Sequence, residues 1–443
     1  MHGNNLLSAE RGFYQSIRKA PVQLYCERLD GWSAPADAFI TLHATDRYAF
    51  WLDREHSVHD RFSVIGSGTP SSLSALQPGE FEAELPFAFR PGLVGVFGYE
   101  SGHDEFLAVD RALVFDHENR HIWFIGLFAT SAEFDHWFQA ALLRLALVGG
   151  ETAAYRNSHS TSTITNPVLR HSPSRYLQLI EAAQRHIAAG DVYQLCLTNE
   201  LTASGEADSL ETFLRLRSLN PTPYASYLKL GERAIVSTSP EQFLRVSADG
   251  WVSSKPIKGT RRRDEDPAKD SELAAELASN LKERAENLMI VDLMRNDIGQ
   301  VCEPETVGVP ELFQVETYKT VHQLVSTVVG RLRADKSQLD AIRAAFPGGS
   351  MTGAPKLRAI EIIRELESGE RGVYSGAVGY LGFDGSVDLG MVIRTIVFEP
   401  GGVRIGIGGG ITSDSIPSEE LEETHLKAKA MLTALGLEDP WSW

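Results

Sequence analysis

Short runs in which apolar residues alternate or crowd, cut by Gly, Pro and Asp, fill the first 150 residues: "AFITLHA", "YAFWLD", "LVGVFGYE" and "HIWFIGLFA". Such runs predict β-strands joined by turns, and the stretch "SAEFDHWFQAALLRLALVGG" after them predicts a helix. Residues 1–155 therefore read as a β-rich N-terminal subdomain. Residues 156–175, rich in Ser, Thr, Asn and His, read as an exposed linker or crossover. From Tyr176 to Leu437 the pattern is a helix ("RYLQLIEAAQRHIAAG"), a strand ("DVYQLCLTNELT"), a helix, and then "YASYLKL", "RAIVSTSP" and "QFLRVSA" as strands. One long helix is expected across "DSELAAELASNLKERAENLMIVDLMRND" and another at "GAPKLRAIEIIRELE". The strands "YSGAVGYLGF", "VDLGMVIRTIVF" and "VRIGIGGGI" precede a last helix, "SEELEETHLKAKAMLTAL". Strands linked as hairpins, with helices between groups of them, predict an α+β fold with antiparallel sheets rather than a doubly wound parallel one. No repeat with a period of 20–50 residues is present.

Composition narrows the functional class. With 443 residues, 43% apolar and 23% charged, the chain can bury a large core. Its formal charge of −17 argues against nucleic acid as a partner, because phosphate must be met by a basic field. An anionic substrate would need local cations or a metal. Cys26, Cys196 and Cys302 are scattered, so neither a disulfide framework nor a thiolate zinc site is expected, and a reducing, cytoplasmic location fits. No export signal and no membrane-spanning run is expected.

Two helices carry paired carboxylates. Glu283 and Glu286 are three residues apart, as are Glu420 and Glu423, with Lys427 four further on. Residues at these spacings share a helix face. Two such faces opposed to each other could hold a divalent ion, as magnesium is held, with positions left for water or substrate. Equally, they could be solvated faces with weak ion pairs. The glycine-rich pieces "FPGGSMTGAPKLRA" and "RIGIGGGITSDS" offer close backbone approach to an anion or serve as turns, and neither matches a P-loop or opens a Rossmann helix.

Taken together, "GDVYQLCLTNE", "NPTPYASYL", "STSPEQFLRV", "PIKGTRRR", "ERAENLMIVDLMRNDIG", "FPGGSMTGAPKLRAIEII", "YSGAVGYL", "VIRTIVF", "GIGGGITSDS" and "EELEETHLKA" resemble the chorismate-utilising enzymes. That family includes anthranilate, isochorismate, salicylate and aminodeoxychorismate synthases. "PGLVGVFGYE" is the clearest matching block in the N-terminal part. The resemblance implies an α/β sandwich: two large facing antiparallel sheets, helices packed outside, and the active site in the cleft between.

It also implies roles. Glu286 and Glu423 would be magnesium ligands, with Glu283 and Glu420 as neighbours that hold waters, and the metal would bind the ring carboxylate. Tyr374, Arg394 and the backbone at Gly410 would bind the enolpyruvyl carboxylate, which an Arg fork can grip at two points. Lys427 would lie near the metal-bound carboxylate, and Ser350, Thr260 and Gln194 would also line the substrate. Glu241 would be the general acid that protonates the departing hydroxyl at ring carbon 4, a role that needs a carboxyl kept protonated by burial. Gln194 stands where the water-using members have a lysine base, and an amide cannot deprotonate water.

Lys258 is the remaining discriminator. Anthranilate synthases resemble "PIAGT" here, whereas the "PIKGT" of this chain resembles the aminodeoxychorismate synthases, whose lysine amine attacks carbon 2. Ammonia then attacks carbon 4 and expels the lysine. Such a lysine must be deprotonated, and Arg261, Arg262 and Arg263 could disfavour its ammonium form or, as exposed residues, do nothing. The activity implied is amination of chorismate to 4-amino-4-deoxychorismate, the precursor of 4-aminobenzoate and folate. Ammonia would come from a glutamine amidotransferase partner, and a separate lyase would act downstream. The alternatives are an anthranilate synthase component I and a non-catalytic sensor of chorismate or tryptophan. One departure is that Gln323 stands where the family usually has His before "LVS", with His322 one residue earlier.

Overall fold

In the computed structural model, which describes residues 22–76, 79 and 84–441, the chain builds one sheet of twelve strands and another of ten. The pairings that join the strands discussed below are all antiparallel. Early and late parts of the chain share both sheets. The strand Tyr48–Asp53 lies beside Tyr224–Leu230 in the larger sheet, and Gly92–Phe97 lies beside Ala377–Gly382 in the smaller.

Period-two patterning explains the layers. Along "YAFWLD", Ala49 and Trp51 face the helices on the outside of the larger sheet, while Phe50 and Leu52 face inward. Inward-facing Phe50, Leu228 and Ile235 of that sheet meet Val94, Val96 and Val378 of the other. Both faces are buried, so the strand reads as a nearly continuous apolar run. Each fully buried side chain of this size contributes about 1.5–3 kcal/mol, and a one-residue slip would exchange the two faces. Helices such as Ser209–Leu219 and Pro417–Leu435 cover the larger sheet, and Leu281–Gly299 covers the smaller. The fold is the expected α+β sandwich.

Two local expectations are corrected. "AFITLHA" lies in the helix Pro35–His43 rather than a strand: Pro35 is pre-set for a first turn, and Ala38, Phe39 and Leu42 are buried at helical spacing. The single long helix is two, Pro267–Ser279 and Leu281–Gly299, broken at Asn280. That residue is extended, with ψ 114°, and its side chain accepts from the Glu283 amide at 3.1 Å, capping the second helix. Residues 156–175 are largely exposed yet ordered. They hold the end of the helix Glu151–His159, the strand Thr165–Leu169 paired along Gln194–Ser204, and the start of the helix Pro173–Ala188.

Candidate active site

Two crossings between the sheets place the first site residues. The chain leaves the larger sheet after Ser239 and enters the smaller at Gln242, with Glu241 in the crossing. It returns from Met391 to Thr395, with Arg394 in the crossing. The Met391 amide donates to the Glu241 carbonyl at 3.0 Å and the Thr238 amide to the Arg394 carbonyl at 3.1 Å, so the crossings are stitched together. Arg394 has φ 52°, a left-handed conformation that costs a residue with a Cβ about 1 kcal/mol or more.

Glu241 is buried, with the Ser350 hydroxyl and the Ile257 amide acting on its carboxyl. Burial pushes the carboxyl up to about 7, against the opposing pull of Ser350, Lys258 and the Ile257 amide. A small cavity beside it is lined by Gln242, Ser254 and Ser350 as well as by Pro256, Ile290, Met294 and Met391. The Arg394 guanidinium is enclosed as well, and burial lowers its pKa despite Tyr374 and Glu423. No ion pair is formed by it among the described residues. A half-buried guanidinium without an anion is a place for a carboxylate. Tyr374 packs against Gly406, where a Cβ would lie 2.0 Å from the tyrosine Cγ, so only glycine leaves room for the ring.

Lys258 rises from the edge strand Ile257–Arg262 of the smaller sheet. Its Nζ lies 2.8 Å from where a Cβ on Gly410 would stand, and Gly410 pairs with Cys196 across the strand Gln194–Ser204. The two sheets therefore meet over this amine. Its nearest carboxylate oxygen is on Glu286, 3.8 Å away. Burial pulls the pKa down, but Glu286, Cys196, Glu241 and Glu423 outweigh it and the net shift is upward. This corrects the expectation for the arginine run. Arg261 is paired with Glu276 at 2.6 Å and Glu283 at 3.2 Å, Arg263 with Asp270 at 2.6 Å, and Arg262 is exposed. Neutralised arginines cannot repel a proton from Lys258.

The acidic residues of the two helices stand among lysines. Lys427 Nζ contacts Glu423 Oε1 at 2.6 Å and the Gly408 carbonyl at 2.8 Å. Glu420 accepts from Ser415 at 2.7 Å and lies 4.0 Å from Lys282. Burial raises Glu286 and Glu420, whereas Lys427 lowers Glu423, whose side chain is 57% exposed. Among the described residues no three acidic or His/Cys side chains converge at ligating distance. The donor set still suits a magnesium ion, which takes oxygen ligands, keeps several waters and needs only one or two carboxylates from the protein. Glu286, Glu420 and Glu423 are the oxygens available. Glu283 is turned to Arg261.

The other expected residues divide. Gln194 is buried and its Oε1 has no partner among the described residues. Ser350, in the turn Gly349–Met351, lines the same small cavity as Glu241. Thr260 is exposed and opposite Gln323. Gln323 is buried with its own Oε1 unpartnered, while His322 points to the helix Pro267–Ser279, bonding Asp270 and Thr317 at 2.9 Å each. Lys282 was missed by sequence reasoning, although its i+4 spacing to Glu286 on one helix face was a usable signal.

The family model of chorismate binding enzymes matches residues 60–433. A protein of Streptomyces pristinaespiralis named aminodeoxychorismate synthase is 46% identical over 79% of this chain and 52% of its own length. The chain thus spans about half the length of that relative. Aminodeoxychorismate synthase component 1 of Klebsiella aerogenes is 38% identical over 91% of this chain and 94% of its own. The crystal structure of anthranilate synthase component I from Streptococcus pneumoniae TIGR4 matches with a TM-score of 0.73 at 29% identity, covering 85% of this chain and 93% of that one.

Proposed function

Because this chain belongs to the family of chorismate binding enzymes, we propose that it aminates chorismate at ring carbon 4, giving 4-amino-4-deoxychorismate. The observation that carries this reading is the Lys258 amine, held over Gly410 beside Glu286 in a cleft that also encloses Glu241. The names of the Streptomyces and Klebsiella relatives support it.

Arg394 and Tyr374 bind and orient the enolpyruvyl carboxylate. Glu286 and Glu423, with Glu420 nearby, would hold a magnesium ion, which would supply charge neutralisation for the ring carboxylate. Lys258, once deprotonated, forms a bond from Nζ to carbon 2. Both ring double bonds shift, carrying electrons to carbon 4, and the carbon 4 hydroxyl leaves as water with the proton of Glu241. Ammonia then bonds to carbon 4, both double bonds shift back, and the carbon 2–nitrogen bond breaks to restore the lysine. Gln194, a neutral amide, offers an acceptor to the incoming N–H donor and no base to water. A glutamine amidotransferase subunit supplies the ammonia, and a separate lyase takes the product to 4-aminobenzoate.

The test is to give the purified protein chorismate, magnesium and ammonium chloride at about pH 8 and identify products by mass. A product isobaric with aminodeoxychorismate, converted to 4-aminobenzoate by added lyase, supports the proposal. Anthranilate with released pyruvate would overturn it in favour of anthranilate synthesis.

A further inference from the structure

Arg371 lies outside every site motif, yet three site-bearing segments end on its guanidinium. Nη2 donates to the carbonyl of Cys196 at 2.9 Å, in the strand that carries Gln194 and pairs with Gly410. Nη1 donates to the carbonyl of Met351 at 2.7 Å, in the turn that carries Ser350. The same Nη1 donates to the hydroxyl of Ser375 at 3.2 Å, next to Tyr374. Glu367 closes the fork, accepting from Nε at 2.9 Å and Nη2 at 2.7 Å, and it also accepts from the Thr198 amide at 2.7 Å. Arg371 and Glu367 are both buried.

The N-terminal block "GYE" closes the assembly from the other side. Glu100 accepts from the backbone amides of Arg371 at 3.1 Å and Gly372 at 2.9 Å, and the guanidinium stacks 4.5 Å from the Tyr99 ring centroid. Ser375 has φ 68°, so the backbone beside Tyr374 is itself held in a costly left-handed conformation. A buried ion pair adds little net stability compared with apolar residues of the same size. What this one does instead is join three chain segments that are far apart in sequence, through one planar, rigid donor group.

Resting on the functional reading above, we infer that Arg371 is a positioning residue: it sets the distances among Gln194, Ser350 and Tyr374, and Glu100 locks it from the N-terminal half of the chain. A lysine in its place keeps the charge opposite Glu367 but cannot reach all three acceptors.

The experiment compares full-length wild type with Arg371→Lys by amide hydrogen exchange and by steady-state kinetics with chorismate, magnesium and ammonium chloride. The expected result is exchange faster by roughly tenfold in residues 194–198, 349–354 and 372–376, with the strand Tyr48–Asp53 unchanged. The accompanying loss in kcat/KM is about tenfold to a hundredfold, because small misplacements of binding groups are costly. Exchange that is unchanged, or that rises uniformly along the chain, would overturn the inference. If Arg371→Lys does not fold, Glu100→Gln asks the same question, with faster exchange confined to residues 371–376 as the expected result and none as the refutation. Since exchange is read without substrate, the three-segment signature in a protein whose wild type makes no aminodeoxychorismate would sink the functional reading and leave the positioning role standing.

Discussion

Exchanging Glu241 for glutamine preserves the shape of the side chain and removes its titration. In the folded chain burial lifts this carboxyl from 4.5 to about 7, a difference of 2.5 units, which corresponds to about 3 kcal/mol. The sign follows from where the proton binds. The native state holds the proton more tightly than the unfolded chain, so the stabilising contribution is complete below about pH 4.5 and is lost as pH rises through about 7. Glutamine, which stays neutral, does not suffer that loss. Urea unfolding of wild type and Glu241→Gln at pH 5 and pH 8 should therefore show the variant gaining on wild type by about 2–3 kcal/mol between the two conditions. Turnover should move in the opposite sense: the variant should lose about 100-fold or more, because it has no proton to give to the leaving hydroxyl. In wild type the rate should fall above pH 7 once ammonia is saturating. A stability difference that stays flat from pH 5 to pH 8 would refute the claim that the fold keeps this carboxyl protonated.

Other perturbations separate the remaining parts of the site. Glu286→Ala or Glu423→Ala should abolish magnesium-dependent turnover, and activity within about twofold of wild type would remove either from the metal site. Lys258→Ala should lose most amination and divert part of the flux to anthranilate, measured by its fluorescence, as carbon 2 becomes open to ammonia. The two glycines should differ. Gly406→Ala drives a Cβ to 2.0 Å from the Tyr374 ring and should lower thermal stability, by about 1–3 kcal/mol, along with substrate affinity. Gly410→Ala meets only the flexible end of Lys258 at 2.8 Å, so the fold should melt near the wild-type temperature while turnover falls at least tenfold.

Much of this site was legible because its residues sit in short ordered blocks. Glu241 in "SPEQF", Lys258 in "PIKGT" and Gly410 in "GIGGGI" each stand where local sequence and family pattern agree. Partnership across the fold was not legible. The arginines after Lys258 looked like a source of positive field, but Arg261 is paired with Glu276 and Glu283, partners that no local pattern assigns to it. The strand "VDLGMVIRTIVF" read as one run because every residue but three or four is apolar. Its switch between sheets at Arg394 depends on pairing with Gly376 and Thr238, which no local pattern encodes. "AFITLHA" misled through Ile40 and Thr41, which are β-formers lying on the less buried side of a helix. Arg371 stayed hidden for the same reason as its function: all its acceptors are backbone carbonyls or residues distant in the chain, apart from Glu367 and Ser375.

The most direct test of the account is to incubate the protein with chorismate and magnesium in the absence of ammonia, quench, and map modified peptides by mass spectrometry. An adduct on Lys258 with the mass of chorismate less one water, released as aminodeoxychorismate when ammonium chloride is added, is the predicted result. Aminodeoxychorismate formed by a protein in which Lys258 stays unmodified would contradict it.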